Sequence, residues 1–475
     1  MLCTKGNLDK FTQLCIRMSA QKTPGRDTLF LLKKSAIALT VKAGGFITQY
    51  LFIFTVARLL GPGSLGGFTL SYTVVQLVSI LALMGIDNLL IRKVAAAKAA
   101  GTPAEMKAAY ITALQITGAS SLVLAIVLFL VSPILAVHVF HKPWLSDSLQ
   151  IAALGLPPFV WITLHAAAFR GSKNMLGFTL FKTILPLLNS CLLLLAWYLQ
   201  WPITPVAGFT LSAFVVVTGY VFAWYTFSGV GGLNKTPLLN KRAMILESLP
   251  MMITGSVFFI LNWIDNLVIG IYRTEAEVGF YDTAFKISSA SAAVLMAVNA
   301  IQAPTFAEIH STRNYARLRR YVFNSTRLLF YATAPITLAL LLFPELILSF
   351  FGKAFEVSSK SLQILAIGNF INCITGSVGI LLMMTGYQQG YNRIIVVAAI
   401  VGIALNFLLV PVMGIEGAAV ASTVAKILWN LAAVWYVYTK LQLVSIYLPG
   451  MRAPKADEQE REYPGNQEDH TLTNE

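Results

Sequence analysis

The chain has 475 residues, of which 56% are hydrophobic and only 12% charged, with a formal net charge of +14. This charged fraction is about half the roughly 25% of an average soluble domain, and a water-soluble core cannot absorb so much apolar surface. The basic residues occupy short loops between apolar runs and form no stripe beside aromatic residues, which argues against nucleic-acid binding. The composition therefore predicts an integral membrane protein.

Apolar runs of 18 or more residues recur along the sequence, each long enough to cross about 30 Å of hydrocarbon as a helix. Helices are expected because lipid offers backbone groups no hydrogen-bond partner, and the runs lack the period-two alternation of a membrane β-barrel. In chain order the predicted spans are 35–58, 66–90, 108–136, 148–170, 176–199, 203–228, 246–272, 277–304, 324–350, 359–386, 391–413 and 415–440.

The distribution of Lys and Arg orients these twelve spans, because cytoplasmic loops retain positive charge during insertion. With the N-terminus inside, 26 Lys and Arg residues lie on the cytoplasmic side. The first 34 residues carry seven of them and lack the features of a cleavable signal, so the first span is expected to act as a signal anchor. Five lie outside, namely Arg58, Lys142, Arg273, Lys353 and Lys360.

A polar stretch in the middle of the chain leaves six predicted spans on either side, and the two halves show a weak repeat. Leu65–Tyr72 resembles Val278–Phe285, and Leu188-Asn189 resembles Leu405-Asn406. Parallel repeats of this kind are typical of transporters with a substrate site between the halves. The predicted division is a basic cytoplasmic segment (1–34), a first bundle (35–228), a linker (229–245), a second bundle (246–440) and an acidic, disordered tail (441–475).

Four lysines lie inside predicted spans, where each costs about 2.5–3.5 kcal/mol unless it faces a wet interior or a partner. Lys42 shares a helical face with Gln49 and has no acid within one turn, which favours a role in a polar cavity. For the other three the alternatives remain open. Lys182 can snorkel to the interface, Lys286 can pair with Asp282 one turn before it, and Lys426 can pair with an acid on another helix.

Asp265 is the one carboxylate well inside a strongly apolar span, with Asn262 three residues before it and Asn266 beside it. A buried carboxylate of this kind is a candidate proton or cation relay. The alternative is a structural partner for one of the lysines.

The order of short motifs resembles the Wzx-type polysaccharide flippases of the multidrug/oligosaccharidyl-lipid/polysaccharide exporter superfamily. The resemblance covers roughly residues 35–440 and rests on the combination of motifs rather than on any single one. In the first half the motifs are Ala57–Pro62, Gly66, Phe68, Gly85–Asp87 and Ile91-Arg92. In the second half they are Asp265, Gly270, Val278–Tyr281, Ala284, Pro304, Phe351-Gly352, Phe355, Leu362, Asn406, Pro411 and Gly414–Ala419.

This resemblance implies an all-α polytopic membrane protein with about twelve transmembrane helices in two six-helix bundles around a central cavity. The implied substrate is a polyprenyl-pyrophosphate-linked oligosaccharide, moved from the cytoplasmic to the outer leaflet of the bacterial inner membrane for surface or exopolysaccharide synthesis. We expect membrane lipids, a polymerase and glycosyltransferases of the same pathway as partners, and no cofactor or metal. The expected cavity residues are Lys42, Gln49, Lys182, Lys286 and Lys426, and the expected ion-coupling residues are Asp265 and Asn262.

Two other functions fit less well. A multidrug or cation antiporter of the same superfamily would prefer an acidic, aromatic cavity, whereas the four buried lysines against one deeply placed aspartate favour anions. A membrane enzyme acting on the same sugars would need a nucleophile, metal or nucleotide motif, and none is found. Cys3, Cys15, Cys191 and Cys373 form no C-x-x-C pair, so neither a disulfide nor a zinc framework is expected.

Overall fold

The computed structural model describes residues 26–227, 239–312 and 314–451, with side chains from Gly44 onward except at a few helix positions. These residues form helices joined by short turns, and no strand occurs among them. Most of the predicted basic segment, the centre of the predicted linker and most of the acidic tail lie outside the described residues.

The first half contains six helices, and the first of them covers one predicted span and most of the next. A short π-helical stretch, Leu135–Val139, extends the third of them. The helices are α1 (Arg26–Leu83), α2 (Ile86–Ala100), α3 (Pro103–Ile134), α4 (Leu145–Gly171), α5 (Met175–Tyr198) and α6 (Pro205–Phe227).

The second half contains eight helices in the described residues, several of them short. A 3-10 turn, Lys353–Ser358, leads into one of the longer ones. The helices are α7 (Lys241–Tyr272), α8 (Glu275–Ser288), α9 (Ala290–Ser311), α10 (Tyr315–Leu342), α11 (Pro344–Ser349), α12 (Ser359–Ile374), α13 (Val378–Met384) and α14 (Gln388–Leu441).

Two of these helices each contain two of the predicted spans. α1 bends at Gly61 (φ 81°, ψ 175°) and α14 bends at Gly414 (φ 61°, ψ −135°), which are backbone conformations that favour glycine. Within the described residues, seven helices are long and apolar enough to cross a membrane, with α1 and α14 counted once each. Divided at the bends, the helices follow the predicted order, and the all-α polytopic fold is confirmed.

Helix breaks displace several predicted boundaries. The predicted second span continues to residue 90, but α1 ends at Leu83, and a left-handed turn at Met84 and Gly85 starts the separate helix α2. The predicted ninth span continues to residue 350, but α10 ends at Leu342, because Pro344 begins a new short helix. The apolar run continues through each break, so hydropathy alone places these ends too late.

The two halves touch backbone to backbone through glycines at one end of the bundle. A Cβ added to Gly66 would lie 1.7 Å from the Glu275 carbonyl oxygen, and one added to Gly279 would lie 2.4 Å from that of Pro62. Gly66 and Gly279 occupy equivalent positions in the predicted repeat. We call the end marked by Gly61, Gly66 and Gly279 the glycine end, and the opposite end, marked by Arg92 and Lys93, the basic end.

Basic side chains bind helix carboxyl termini at the glycine end. Arg58 Nε donates to the Phe350 carbonyl at 2.7 Å, and Lys142 Nζ donates to the carbonyls of Gly270 and Arg273 at 2.6 and 2.7 Å. Both contacts join the first half to the second, and the cations complement the negative carboxyl ends of the helices. Burial lowers the pKa of Lys142, which lies in the loop before α4.

At the basic end, the two halves meet through α2 and α7. Lys93 Nζ lies 2.9 Å from a carboxylate oxygen of Glu247, and Arg92 pairs with the same carboxylate. Gly85 also approaches the α7 backbone closely, since a Cβ there would lie 2.4 Å from the Ser248 carbonyl oxygen. Together with the Lys142 contact to Gly270, this attaches α7 to the first half near both of its ends.

The glycine contact predicts a position-specific cost of adding one methyl group. Gly279→Ala should lower the free energy of unfolding by about 1–3 kcal/mol, because the new Cβ overpacks against the Pro62 backbone. Gly44→Ala is the matched control, since nothing lies within 4 Å of a Cβ at Gly44. Thermal unfolding of the detergent-purified variants measures both, and equal melting temperatures would contradict the close contact.

Candidate functional site

A cavity of about 430 Å³ lies between α1, α7 and α8, on the basic-end side of the glycine contact. Gln49 precedes Gly61 by 12 residues and Lys286 follows Glu275 by 11. At 1.5 Å per helical residue, both lie roughly 16–18 Å from the glycine end, near the middle of a membrane about 30 Å thick. The lining residues are Phe46, Gln49, Tyr50, Ile53, Asn262, Trp263, Asn266, Asp282, Phe285, Lys286 and Ser289.

Three predicted site residues, Gln49, Asn262 and Lys286, therefore line one cavity. Lys286 Nζ donates to Asp282 Oδ2 at 2.6 Å, so the pairing raised as an alternative for this lysine is present. The Asp282 side chain is 1% exposed and the Lys286 side chain 17%, so the ammonium group faces the cavity while its partner is buried. Thr69 Oγ1 also donates to Asp282 Oδ2, at 3.2 Å.

The rest of the lining combines amide groups with aromatic rings. Gln49, Asn262 and Asn266 bring both donors and acceptors, and the buried Asn266 Oδ1 makes no hydrogen bond in the described part of the chain. Trp263 packs edge-on against Tyr72, with ring centroids 5.5 Å apart. A ligand here would meet neutral polar groups, apolar ring faces and one ion pair.

Asp265 lies on the neighbouring face of α7 and does not line this cavity. Its side chain is 1% exposed and accepts hydrogen bonds from Tyr281 Oη at 2.6 Å, from Asn406 Nδ2 at 2.8 Å and from Ser422 Oγ. These donors come from α8 and from both parts of α14. Asp265 thus joins three helical segments of the second half.

Lys426 shares a second, much smaller pocket with Asp265. Its Nζ donates to Asn369 Oδ1 at 3.0 Å and lies 5.0 Å from the centre of the Phe285 ring. The structure thus places Lys426 and Asp265 together in the second half, while Gln49, Asn262 and Lys286 line the central cavity.

Lys42 and Lys182 lie on α1 and α5, outside the residues whose side chains the structure describes. Their cavity roles stay predictions. Trp263 and Asn369 are site residues that sequence reasoning does not identify, because a single tryptophan or asparagine in an apolar run matches no functional pattern. A helical projection of α7 places Trp263 beside Asn262 and Asn266, and this position on the polar face could have identified Trp263 as a cavity residue.

Comparison with known families identifies relatives for most of the chain. The sequence profile described as polysaccharide biosynthesis protein matches residues 31–310, which is more than half of the chain. The MatE profile matches residues 250–412.

Two curated relatives come from Haloferax volcanii. The probable low-salt glycan biosynthesis flippase Agl15 is 25% identical over 218 residues, which are 46% of this chain and 46% of that protein. The probable flippase AglR is 24% identical over 176 residues, covering 36% of this chain and 37% of that protein. The chain therefore matches less than half the length of these relatives.

Solved structures with a similar fold include transporters and flippases. An inward-facing multidrug resistance MATE family transporter of the MOP superfamily aligns with a TM-score of 0.67 and 14% identity over 84% of this chain and 94% of that one. The lipid II flippase MurJ, in an inward closed conformation, aligns with a TM-score of 0.65 and 14% identity over 84% and 87%. At 14% identity, these structural similarities show a shared fold and nothing beyond it.

The Lys286–Asp282 pair predicts strong coupling between two substitutions. Lys286→Met should destabilise the protein by about 3–5 kcal/mol, because it leaves a buried carboxylate without its partner. Adding Asp282→Asn should recover most of that loss. Thermal unfolding of both single variants and the double variant gives the coupling energy, and additive losses would show that the pair contributes nothing to stability.

The cavity itself predicts chemical accessibility. In a variant without the four native cysteines, Gln49→Cys should react with a water-soluble thiol reagent, because Gln49 lines the cavity. Val56→Cys, two turns further along α1 and 0% exposed, is the buried control. Equal labelling of the two positions, measured by mass shift in membranes, would exclude a water-filled cavity at Gln49.

Proposed function

This chain belongs to the polysaccharide biosynthesis protein family of the MOP superfamily, and we propose that it moves a lipid-linked oligosaccharide across a membrane by alternating access. It is a multi-pass membrane flippase of glycan biosynthesis rather than an enzyme. The main support for the proposed substrate is the cavity between the halves, which is lined by amide and aromatic side chains. We further propose that the protein lies in the bacterial inner membrane. Its pathway would produce a surface polysaccharide such as lipopolysaccharide, or a secreted exopolysaccharide.

The cavity lining suits a sugar ligand. Hydroxyl groups both donate and accept hydrogen bonds, as do the side-chain amides of Gln49, Asn262 and Asn266. The C–H faces of a sugar ring are apolar and can pack on Trp263 and Phe46. Few precisely placed polar groups on an apolar wall are typical of small-ligand sites.

The lysines would supply attraction for the pyrophosphate. Lys286 faces the cavity, and Lys42 lies seven residues, about two helical turns, before Gln49 on the same face of α1. Together with Lys182 they would hold the anionic head group while the prenyl chain remains in lipid. A phosphate would then compete with Asp282 for the Lys286 ammonium group.

The charge distribution and the glycine contact suggest the direction of loading. The Lys and Arg count predicts that the basic end and both termini face the cytoplasm, where such lipid-linked sugars would be loaded. The cavity lies on the basic-end side of the Gly66–Gly279 contact, so loading would precede separation of the two glycines.

We propose that Asp265 couples transport to an ion gradient. Asp265 anchors α7 to α8 and α14, while Asn262, three residues earlier on α7, lines the central cavity. A change of charge at Asp265 would therefore alter the helix that carries part of the substrate site. Asn262 would transmit ion binding to the cavity without binding the ion.

The second candidate is a multidrug or cation antiporter of the same superfamily. The MatE match over residues 250–412 favours it, and Trp263 and Phe285 could hold an organic cation beside Asp282. The ion pair with Lys286 already neutralises that carboxylate, which disfavours a cationic ligand.

Export of polymer in cells tests the substrate assignment. Gln49→Ala and Asn262→Ala should each reduce export about 2- to 10-fold at equal protein level, the effect of losing one or two hydrogen bonds to the sugar. Gln389→Ala, at an exposed position, is the control and should export normally. Normal export by both cavity variants, with resistance to cationic dyes on overexpression, would favour the antiporter.

A further inference from the structure

The pocket that Asp265 and Lys426 share has room for about one water molecule. Its volume is about 10 Å³, near the lower limit for a single ordered water. Its polar wall consists of Asp265, Asn406, Ser422 and Lys426, and the rest is mostly apolar. Any ion that couples to Asp265 must therefore be accommodated beside the Lys426 side chain.

Hydrogen-bond donors already occupy the Asp265 carboxylate. Oδ1 accepts from Asn406 Nδ2, and Oδ2 accepts from Tyr281 Oη and Ser422 Oγ. The same Asn406 Nδ2 also donates to the Gly402 carbonyl at 3.0 Å. An amide oxygen in that place would face two acceptors, so the orientation of Asn406 is fixed with its nitrogen toward Asp265. Donors in this arrangement stabilise a carboxylate, whereas a metal cation needs oxygen lone pairs.

The Lys426 ammonium group completes the charge balance of this pocket. Asn369 Oδ1 and the Phe285 ring hold it in place, and no carboxylate in the described residues lies within 4 Å of its Nζ. It is attracted electrostatically to Asp265, which lines the same small pocket. The pocket therefore already contains one cation for its one anion.

We propose that Lys426 makes the Asp265 pocket selective for protons by excluding metal cations such as Na⁺. This inference rests on the proposed ion coupling at Asp265 and names the ion. Two unit charges about 4–6 Å apart at an effective dielectric constant of about 20 repel enough to weaken binding of the second on the order of 100-fold. A proton avoids this repulsion because it binds to the carboxylate oxygen itself and removes a charge.

Protonation would rearrange the pocket without any further reactant. A proton delivered by water binds one carboxylate oxygen of Asp265, and the new O–H can donate to Ser422 Oγ once the serine hydroxyl hydrogen turns away. Lys426 then lacks its counter-charge, which weakens the attachment of α14 to α7. The other ionisable groups nearby are Tyr281 and the Asp282–Lys286 pair on α8 and Cys373 on α12.

Na⁺-dependent thermal stability of the purified full-length protein tests this inference without any glycan substrate. The wild type should melt at the same temperature in Na⁺ and in N-methylglucamine at equal ionic strength. Lys426→Met should melt at a higher temperature in Na⁺, by about 1–2 °C per tenfold excess over the dissociation constant for a chain of this length. In that variant, Asp265 Oδ1, Ser422 Oγ and the buried, unpartnered Asn406 Oδ1 become available as oxygen ligands.

Matched variants distinguish a loss of ion selectivity at the Asp265 pocket from a general effect of removing a lysine. Lys426→Arg keeps the charge and should stay insensitive to Na⁺, while Asp265→Asn combined with Lys426→Met should abolish the new response. Lys353→Met removes a lysine at an exposed position and should create no Na⁺ response. Lys426→Gln replaces the Met variant if the latter does not fold.

A wild type stabilised by Na⁺ overturns the inference, as does a neutral Lys426 variant that shows no Na⁺ response. Neither result touches the assignment of the glycan substrate, because the measurement reads ion binding alone. Normal polymer export by the cavity variants would, in turn, count against the glycan substrate and leave the ion selectivity of the Asp265 pocket intact.

Discussion

The contact between Gly66 and Gly279 fixes the geometry on which the rest of the site depends. Only glycine permits the backbones of α1 and α8 to touch there, since a Cβ on either residue would overlap a carbonyl oxygen of the other segment. Toward the basic end, the cavity lies between these two helices and α7, and Tyr50 Oη of α1 donates to the Lys286 carbonyl of α8 at 2.6 Å beside it. Because the two glycines are equivalent in the repeat, each half contributes one glycine to the close backbone contact at the glycine end.

The helix α7 connects two kinds of site within one segment. Asn262 and Asn266 face the central cavity, whereas Asp265 faces the interior of the second half and binds Tyr281, Asn406 and Ser422. Helices with two such faces are a physical means of coupling, because each site biases the same element. The basic side chains Arg58 and Lys142 add cross-links at helix carboxyl ends, which explains charges on the predicted outer side.

The sequence predicts the fold class, the order of the spans and the grouping of Gln49 with Lys286, because lipid restricts the chain to helices and polar residues to the interior. Asn262 was expected beside Asp265 as an ion-coupling residue, and the structure places it in the lining of the cavity instead. The pairing of Lys426 with Asp265, and the separation of Asn262 from Asp265, were not predictable. They depend on how far α7 and α14 rotate about their axes, which their packing against α8 and α12 determines. The breaks at Gly85 and Pro344 lie within continuous apolar runs, where local backbone conformation rather than hydropathy ends a helix.

We propose that the cavity between the halves holds a lipid-linked sugar while it moves from one leaflet to the other. The most direct measurement reconstitutes the purified protein into vesicles that contain a fluorescent polyprenyl-pyrophosphate oligosaccharide and follows its protection from an external quencher. Under a proton gradient, the lipid should exchange between leaflets faster than in protein-free vesicles, and Asn262→Ala should slow the exchange. Exchange no faster than in protein-free vesicles, combined with uptake of a cationic dye by the same vesicles, would contradict a lipid-linked sugar as the substrate.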